Sequence, residues 1–253
     1  MIKVFKNIND WQIERKQILN DKTIGFVPTM GALHEGHFSL IEKSVEENDY
    51  TVVSIYVNPT QFNNKDDFEN YPITFEEDLK GLEELNVDYC IFPSYEEIYG
   101  DNYKYKVSEN DLSSKLCGAH RPGHFDGVLT VVMKLLNIVD ADKAYFGEKD
   151  YQQYLLIKGM ADAFFMRTKI IPLPTVRTKE GLALSSRNKR LTEDEFQKAF
   201  KFPKLLKSNF TDKEVEEKLS AGGFIVDYIE TIDNRRFGAV HLGKVRLIDN
   251  VEV

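Results

Sequence analysis

Two histidines three residues apart, His34 and His37, stand in the stretch VPTMGALHEGHFSLI (residues 27 to 41) of a chain that has only five. Gly31 and Gly36 flank them. An apolar run that ends in such a turn and then opens a helix makes an anion site, because free backbone N–H groups and the positive helix end point at the ligand. The glycines allow backbone to approach a nucleotide closely. Positions 34 and 37 lie about one helical turn apart, so both rings can face one ligand. Imidazole N–H groups donate to phosphate oxygens, and a protonated ring adds charge. The same pair is compatible with surface histidines near a helix cap, or with a metal site. Neither G-x-x-x-x-G-K-[ST] nor G-x-G-x-x-G occurs, so phosphate bound at this turn is held by histidine-rich and not lysine-rich chemistry.

Two other segments carry phosphate chemistry. Lys149 in GEKD follows a predicted strand, and a compact ammonium suits a phosphate or pyrophosphate. LSSRN offers the hydroxyls of Ser185 and Ser186 and the guanidinium of Arg187 in three consecutive positions. It leads into the basic cluster RNKR at 187 to 190, an anion site within an otherwise acidic chain or else a solvated loop. A polar linker between domains is compatible with LSSRN as well, and both roles are satisfied if the linker closes over a ligand.

The elements that must position these groups alternate. TIGFVPTM (23–30), YTVVSIYVN (50–58), VDYCIFP (87–93), KAYFGE (143–148) and TKIIPLPTV (168–176) have the apolar or β-branched character of buried strands. HFSLIEKSVEEN (37–48), FEEDLKGLEELN, HFDGVLTVVMKLLNIVD (124–140) and DYQQYLLIKGMADAFF (150–165) predict helices between them. Thr74 with Glu77 predicts a capping box for the second of these helices. The third is apolar on most sides, so it is expected to be well buried, with a subunit contact as one use for its surface. The pattern predicts an α/β fold: a Rossmann-like open parallel sheet with helices on both faces. NNKDDFEN (63–70) is the most loop-like segment of this half. After about residue 176 the pattern changes to a polar stretch, two helices capped by Thr192 with Glu195 and Thr211 with Glu214, and short strands in GGFIVDYIETID and AVHLGKVRLID. We therefore expect two domains, 1–176 binding nucleotide and small acid, and 177–253 as a smaller C-terminal α+β lid.

Composition narrows the partners. The 253 residues carry a net charge of −8, with no long basic block and no basic stripe interleaved with aromatic residues, which argues against nucleic acid. No apolar run reaches the ~18 to 20 residues of a membrane span, and the amphipathic N-terminus lacks the form of a secretory signal. Cys90 and Cys117 have no partner at zinc-ligand spacing, so both are expected as packing residues in a cytoplasmic protein.

HEGH after a strand is similar to the H-x-G-H motif of the nucleotidyltransferase superfamily. More narrowly, VPTMGALHEGHFSLI, VNPTQF, RPGHFDGVLTVV, FGEKDYQQ and LSSRN, in that order, resemble the pantoate–β-alanine ligase family. The resemblance implies ATP-dependent activation of pantoate as an adenylate, then displacement of AMP by β-alanine, in a homodimer that contacts itself through the first domain. It places ATP on Met30, Gly31, Ala32, Leu33, His34, Glu35, Gly36 and His37, on Gly147, Glu148, Lys149 and Asp150, and on Val176, Leu184, Ser185, Ser186 and Arg187. His34, His37 and Lys149 become the catalytic residues, His37 at the position the family assigns as a proton donor. Because a carboxylate is already ionised at neutral pH, His37 is weighted here as a phosphate donor, with His34 sharing that role.

Gln61 and Gln153 match the family's pantoate-binding glutamines, and Gln61 is also implicated in holding β-alanine. Each amide offers the donor and the acceptor that a hydroxyl needs. Met30, Phe62 and Val132 are candidates to pack on the geminal methyls of pantoate. His124 stands near the site or caps the long helix. Mg²⁺ is expected with ATP, and Asp78 and Asp150 are its candidate partners. Leu184 replaces a methionine common in the family, a volume-conserving exchange, and the second domain is shorter than the family usually carries. Two other functions compete with the ligase: a nucleotidyltransferase on the same fold, and a catalytically silent nucleotide-binding module. A tRNA synthetase is disfavoured by the charge and the short second half.

Overall fold

Successive side chains on a strand point to opposite faces, and the central strands exploit this. Phe26 and Val52 lie in one hydrophobic cluster, Val27 and Val53 in another, and all four are fully buried. A sheet apolar on both faces must be covered on both, and it is. The computed structural model describes residues 1–63 and 65–253. Its first part runs β1 (Lys3–Phe5), α1 (Ile8–Arg15), β2 (Ile24–Thr29), α2 (Glu35–Glu47), β3 (Tyr50–Ile55), α3 (Lys65–Glu69), α4 (Phe75–Glu84), β4 (Tyr89–Ile91) and α5 (Tyr95–Ile98). It continues through α6 (Cys117–His120), α7 (His124–Val139), β5 (Lys143–Gly147), α8 (Tyr151–Ala163) and β6 (Lys169–Leu173). Among the described residues these strands form one six-stranded parallel sheet in the order β1-β4-β3-β2-β5-β6.

That order fixes where a ligand can sit. From β2 the chain winds outward through β3 and β4, then returns to place β5 on the other side of β2. The carboxyl ends of β2 and β5 therefore flank the topological switch point, where connecting loops diverge and leave a crevice. The turn bearing His34 follows β2, and the turn bearing Lys149 follows β5.

The face containing Phe26 is covered by α1, α7 and α8, whose Trp11, Leu129 and Ile157 are fully or almost fully buried. Each such side chain contributes ~1.5–3 kcal/mol on burial. The indole N–H of Trp11 is satisfied by the carbonyl of Ile138 at 2.8 Å. The face containing Val27 is covered by α2 and α4 through Ile41 and Leu82. Helix α7 buries eleven of its sixteen residues within this one chain, so its apolar surface is largely consumed internally. It also comes unusually close to the 3₁₀ turn Pro59–Gln61. A Cβ at Gly127 would lie 2.4 Å from the carbonyl oxygen of Thr60 and 2.7 Å from the amide of Gln61. Only glycine permits that approach, and it sets the height of Gln61 over the sheet.

The remainder comprises α9 (Glu193–Ala199), α10 (Lys201–Leu206), α11 (Asp212–Ala221) and an antiparallel sheet of β7 (Ile225–Ile232), β8 (Arg235–Leu242) and β9 (Val245–Glu252). It has its own core of residues between Leu182 and Val251. The buried guanidinium of Arg236 ties its helices to its sheet by donating to the carbonyls of Leu206, Ser208 and Phe210 and to Asp212. Polar bonds join this part to the first. Asn250 donates to the carbonyls of Glu148 and Lys149 at 2.8 and 3.0 Å, and Arg177, on the connecting segment, makes a bidentate ion pair with Asp249.

Several expectations need correction. Thr74 does not cap α4; its hydroxyl donates to Asp78 instead, whereas the boxes at Thr192 and Thr211 form in full. The loop-like 63–70 contains α3, although Asn64 lies outside the described residues. AVHLGKVRLID is not one strand but a hairpin, since Gly243 turns the chain at a φ of +56° between β8 and β9. The N-terminal sixteen residues, read only as amphipathic, supply edge strand β1 and helix α1, capped by Asn7.

Replacing Gly127 with alanine is expected to destabilise the protein by ~1–3 kcal/mol through overpacking, because the added Cβ meets the Thr60 carbonyl and the Gln61 amide. Urea unfolding checks this, and an unchanged midpoint would mean that the helix and the turn can separate without loss.

Candidate active site

The turn between β2 and α2 has an unusual backbone. Gly31 and Ala32 take positive φ values of 78° and 51° in succession, which costs a non-glycine residue roughly 1–2 kcal/mol. Consecutive left-handed residues form a concave array of N–H groups that attracts an anion, and here the anion is internal. Asp78 on α4 is buried, and its two carboxylate oxygens accept from the N–H of Ala32 at 2.9 Å and of Leu33 at 2.8 Å, with the Thr74 hydroxyl at 3.1 Å. The strained turn is thus held by a carboxylate that lies 45 positions later in sequence. Asp78 is fully engaged in this clamp, which corrects its candidacy as a metal partner. The N–H groups of Gly31 and Gly36 are also taken, by the Thr29 hydroxyl and the His34 ring. Ligand chemistry at this turn therefore rests on side chains more than on free amides, contrary to the expectation from the motif.

Those side chains are the two imidazoles. His34 is the N-cap of α2; its Nδ1 accepts from the Gly36 N–H at 3.1 Å, which leaves the proton on Nε2. The His37 ring lies beside it, centroids 4.1 Å apart. Burial pushes His34 down to about 4, assisted by the positive charge of Lys149 and Lys189. Burial also pushes His37 down to about 3, with His34 and Lys149 adding to the effect. Both rings are neutral at pH 7. They offer N–H dipoles and not the charge expected from a protonated ring. The Nδ1 of His37 is buried without a protein partner.

A cleft of about 240 Å³ opens at the switch point, and its wall gathers most of the sequence candidates. From the first turn come Met30, His34, Gly36 and His37; from the turn after β5, Gly147, Lys149 and Asp150; from the connecting segment, Val176, Leu184, Ser185, Ser186 and Arg187; and from the turn after β3 and from α8, Gln61 and Gln153. Gly31, Ala32, Leu33, Glu35 and Glu148 do not line it. Ala32 and Leu33 are buried beneath the turn, with Leu33 in the hydrophobic core, and Glu35 is exposed. Val132 is on the wall, but Phe62 turns away and packs against Phe68 and Tyr71 at centroid distances of 5.5 and 5.9 Å.

The adjacent glutamines of DYQQ separate by role. Gln152 is buried and accepts from the Cys117 N–H while donating to the carbonyls of Leu112 and Lys115, so it is framework. Gln153 faces the cleft. Gln61 is oriented from several sides: its Nε2 donates to the Met30 sulfur, its Oε1 accepts from Asn58, and its backbone carbonyl accepts from both Arg121 and His124. His124 is buried at the start of α7 and does not cap it. Because Nδ1 donates to that carbonyl at 2.7 Å, Nε2 is free to accept from Arg121 at 3.0 Å. Burial, with Arg121 next, pushes His124 down to about 3.

Charge in the cleft is arranged in opposed pairs. Burial by itself would raise Asp150, but Lys149 and Arg187 outweigh it and hold the carboxyl below its ordinary value. Arg187 and Arg190 both bond to Asp67 on α3, at 3.2 and 2.9 Å, which draws the LSSRN segment over the cleft. Among the described residues no group of three or more His, Cys, Asp or Glu side chains is placed to hold a metal.

Sequence reasoning missed Asn58, Tyr71, Tyr56 and Arg121. Asn58 had a legible signal, since it follows the carboxyl end of β3, where α/β folds gather ligand groups. Its buried amide is fully used, donating to Gln61 and the Gly127 carbonyl and accepting from Tyr99 and Thr60. Arg121 had none, because nothing in its neighbourhood predicts that the 117–123 segment folds back against Gln61.

Comparison with known proteins identifies the family. The profile of the pantoate-beta-alanine ligase family matches residues 3–252. A pantothenate synthetase of Bdellovibrio bacteriovorus is 54% identical over all 253 residues, and the match covers 100% of both chains. The expected shortness of the second domain is not seen against that relative. The crystal structure of a pantoate-beta-alanine ligase from Francisella tularensis, complexed with beta-gamma ATP and beta-alanine, superposes with a TM-score of 0.96 at 44% identity, covering 100% of this chain and 98% of that one. Pantothenate synthetase from Thermus thermophilus gives 0.90 at 35% identity, with 99% of each chain covered.

Asp78→Ala is expected to leave the Ala32 and Leu33 amides unpaired and to cost about 3 kcal/mol, while abolishing nucleotide-dependent activity in the fraction that remains folded. Chemical denaturation and an activity assay normalised to folded protein test this; unchanged activity would mean the clamp does not shape the turn.

Proposed function

The chain belongs to the pantoate–β-alanine ligase family, and from that membership we propose how its cleft joins pantoate to β-alanine at the expense of ATP. The observation that carries this reading is the convergence of the imidazole pair, Lys149, Ser185 to Arg187 and the two glutamines around one cleft. The first set suits a triphosphate, and the second suits a small hydroxy acid.

In the first half-reaction a carboxylate oxygen of pantoate attacks the α-phosphorus. A new P–O bond forms, the bond to the β-phosphate breaks, and pyrophosphate leaves with the bonding pair. No proton has to move. The demands on the protein are alignment and compensation of charge building on phosphate oxygens. Neutral His34 and His37 donate N–H bonds; Lys149 and Arg187 supply the positive charge. His37 thus acts as a hydrogen-bond donor and not as a charged acid. Mg²⁺ enters with ATP as part of that substrate. Asp150 is paired with Lys149 and Asp78 with backbone, so the ion's ligands are phosphate oxygens and water.

Gln61 and Gln153 hold the hydroxyls of pantoate between them, and Met30 and Val132 take its methyl groups. In the second half-reaction the neutral amine of β-alanine attacks the acyl carbon, the C–N bond forms, and AMP departs with the electrons of the broken C–O bond. The displaced amine proton passes to solvent. The family's homodimer is carried as part of this proposal, for which sedimentation equilibrium is the check. Among the described residues no helix is long and apolar enough to cross a membrane.

The testing experiment separates the half-reactions. Protein, ATP, Mg²⁺ and pantoate should exchange labelled pyrophosphate into ATP, and β-alanine should then release AMP. Exchange with a phosphorylated acceptor but not with pantoate would favour a nucleotidyltransferase, and nucleotide binding with neither reaction would favour a silent module. His37→Ala and Lys149→Ala should each reduce exchange by ~10²–10³-fold with little change in melting temperature. Gln153→Ala should raise the KM for pantoate far more than that for ATP; the opposite selectivity would reverse the assignment of the two subsites.

A further inference from the structure

Asp67 on α3 stands where several cations converge. One of its oxygens accepts from Arg187 at 3.2 Å and the other from Arg190 at 2.9 Å. It also lines a cavity of about 90 Å³ that adjoins the main cleft, together with Arg121, Lys149 and Arg246. Burial by itself would raise Asp67, but Arg190 and Arg187 outweigh it and hold the carboxyl below its ordinary value. Burial, then Arg187 and Arg246, push the Arg121 guanidinium down to about 10, and the charge of Asp67 works against them. None of the five residues of α3 is buried, so packing alone does not explain why this carboxylate faces the cluster. The two arginines differ in what else they reach. Arg187 lines both the cleft and the smaller cavity, whereas Arg190 lines neither. Arg190 also makes the shorter bond from the more exposed side chain. It can therefore stay on Asp67 while Arg187 turns to a ligand.

We propose that Asp67 is an exchangeable counter-ion for Arg187: it pairs with that guanidinium while the cleft is empty, releases it to the phosphates of the bound nucleotide, and retakes it as pyrophosphate departs. The proposal rests on the ligase function given above and adds a residue that tunes the hold on phosphate without touching it. A carboxylate oxygen and a phosphate oxygen compete for the same planar fork of donors. Pyrophosphate carries more charge than one carboxylate and wins the contest, but its net gain is reduced by the bond that Asp67 gives up. That reduction acts on substrate and product alike. Binding that is equally strong in the ground state and the transition state does not raise the rate of the chemical step, whereas pyrophosphate must leave once in every cycle. In the empty cleft the same carboxylate offsets the repulsion among Arg187, Arg121 and Lys149. Arg190 is the positioning partner. Its bond keeps Asp67, and with it α3, beside the LSSRN segment when Arg187 is away.

The test uses the full-length protein with Asp67→Asn, Arg190→Gln and the double variant, each checked by circular dichroism for an intact fold. Calorimetric titration with pyrophosphate and with a non-hydrolysable ATP analogue, both with Mg²⁺, gives the affinities. Asp67→Asn keeps the shape and an acceptor but removes the competing charge, so it should bind both ligands about fivefold more tightly than the parent. In turnover, pyrophosphate should inhibit it at correspondingly lower concentration. Arg190→Gln leaves Asp67 to Arg187 alone and should weaken both ligands about threefold. Because Arg190 acts through Asp67, the double variant should match Asp67→Asn. A helix that had merely come loose would not tighten binding. Equal or weaker binding by Asp67→Asn would overturn the proposal, since the carboxylate would then orient Arg187 toward the ligand and not compete for it. So would a double variant midway between the two single ones, which would make Arg190 an independent attractor of phosphate. Failure of the parent protein to bind either ligand would instead strike the ligase function itself, and the two failures are thereby distinguished.

Discussion

One buried carboxylate supports the chemistry of this protein. Asp78 accepts the N–H groups of Ala32 and Leu33 at the crest of a turn whose backbone is held in left-handed conformations. Without that acceptor two buried amides would be orphaned, each at ~1–3 kcal/mol, and the strain at Ala32 would have nothing to offset it. With it, α2 begins where His34 can cap it and His37 can stand beside His34. The clamp also couples α4 to the turn between β2 and α2, so a helix on the Val27-bearing face of the sheet determines the geometry of the switch point.

A second consequence follows from burial. Placing two imidazoles beside Lys149 in a desolvated crevice keeps the rings uncharged, because burial disfavours the charged form and a second or third positive charge would be repelled by the first. The site thus divides its work. Ammonium and guanidinium groups carry charge, and neutral rings, that of His34 with its tautomer fixed by the Gly36 N–H, present dipoles. The same logic recurs at His124, whose ring is neutral against Arg121 and aligns it with Gln61. Fixed dipoles of this kind need little reorganisation when charge develops on a phosphate.

The parallel sheet and its covering helices were legible in the sequence because buried strands with apolar runs and helices with 3.6-residue periodicity leave strong local signals. The three segments proposed to bind phosphate were legible for a similar reason: each is a short contiguous run of donor groups. What could not be read was pairing between distant positions. Thr74 and Glu77 have the spacing of a capping box, yet tertiary demand diverts Thr74 to Asp78. Asp78 looked available for a metal because nothing local shows that residues 32 and 33 consume it. Arg121 was invisible since its role depends on the return of 117–123 to Gln61. The Gly243 hairpin was misread because residues on both its arms are apolar, and one glycine was the sole cue to the turn.

The ring states of His34 and His37 are the most direct expression of this account. Imidazole ¹⁵N chemical shifts, followed by NMR from pH 5 to 8 with and without a non-hydrolysable ATP analogue, report the proton on each nitrogen. Both rings should remain neutral throughout, with the proton of His34 on Nε2, and the shifts of both should move when the analogue binds. Rings that titrate near pH 6.5, or that are indifferent to the nucleotide, would contradict it.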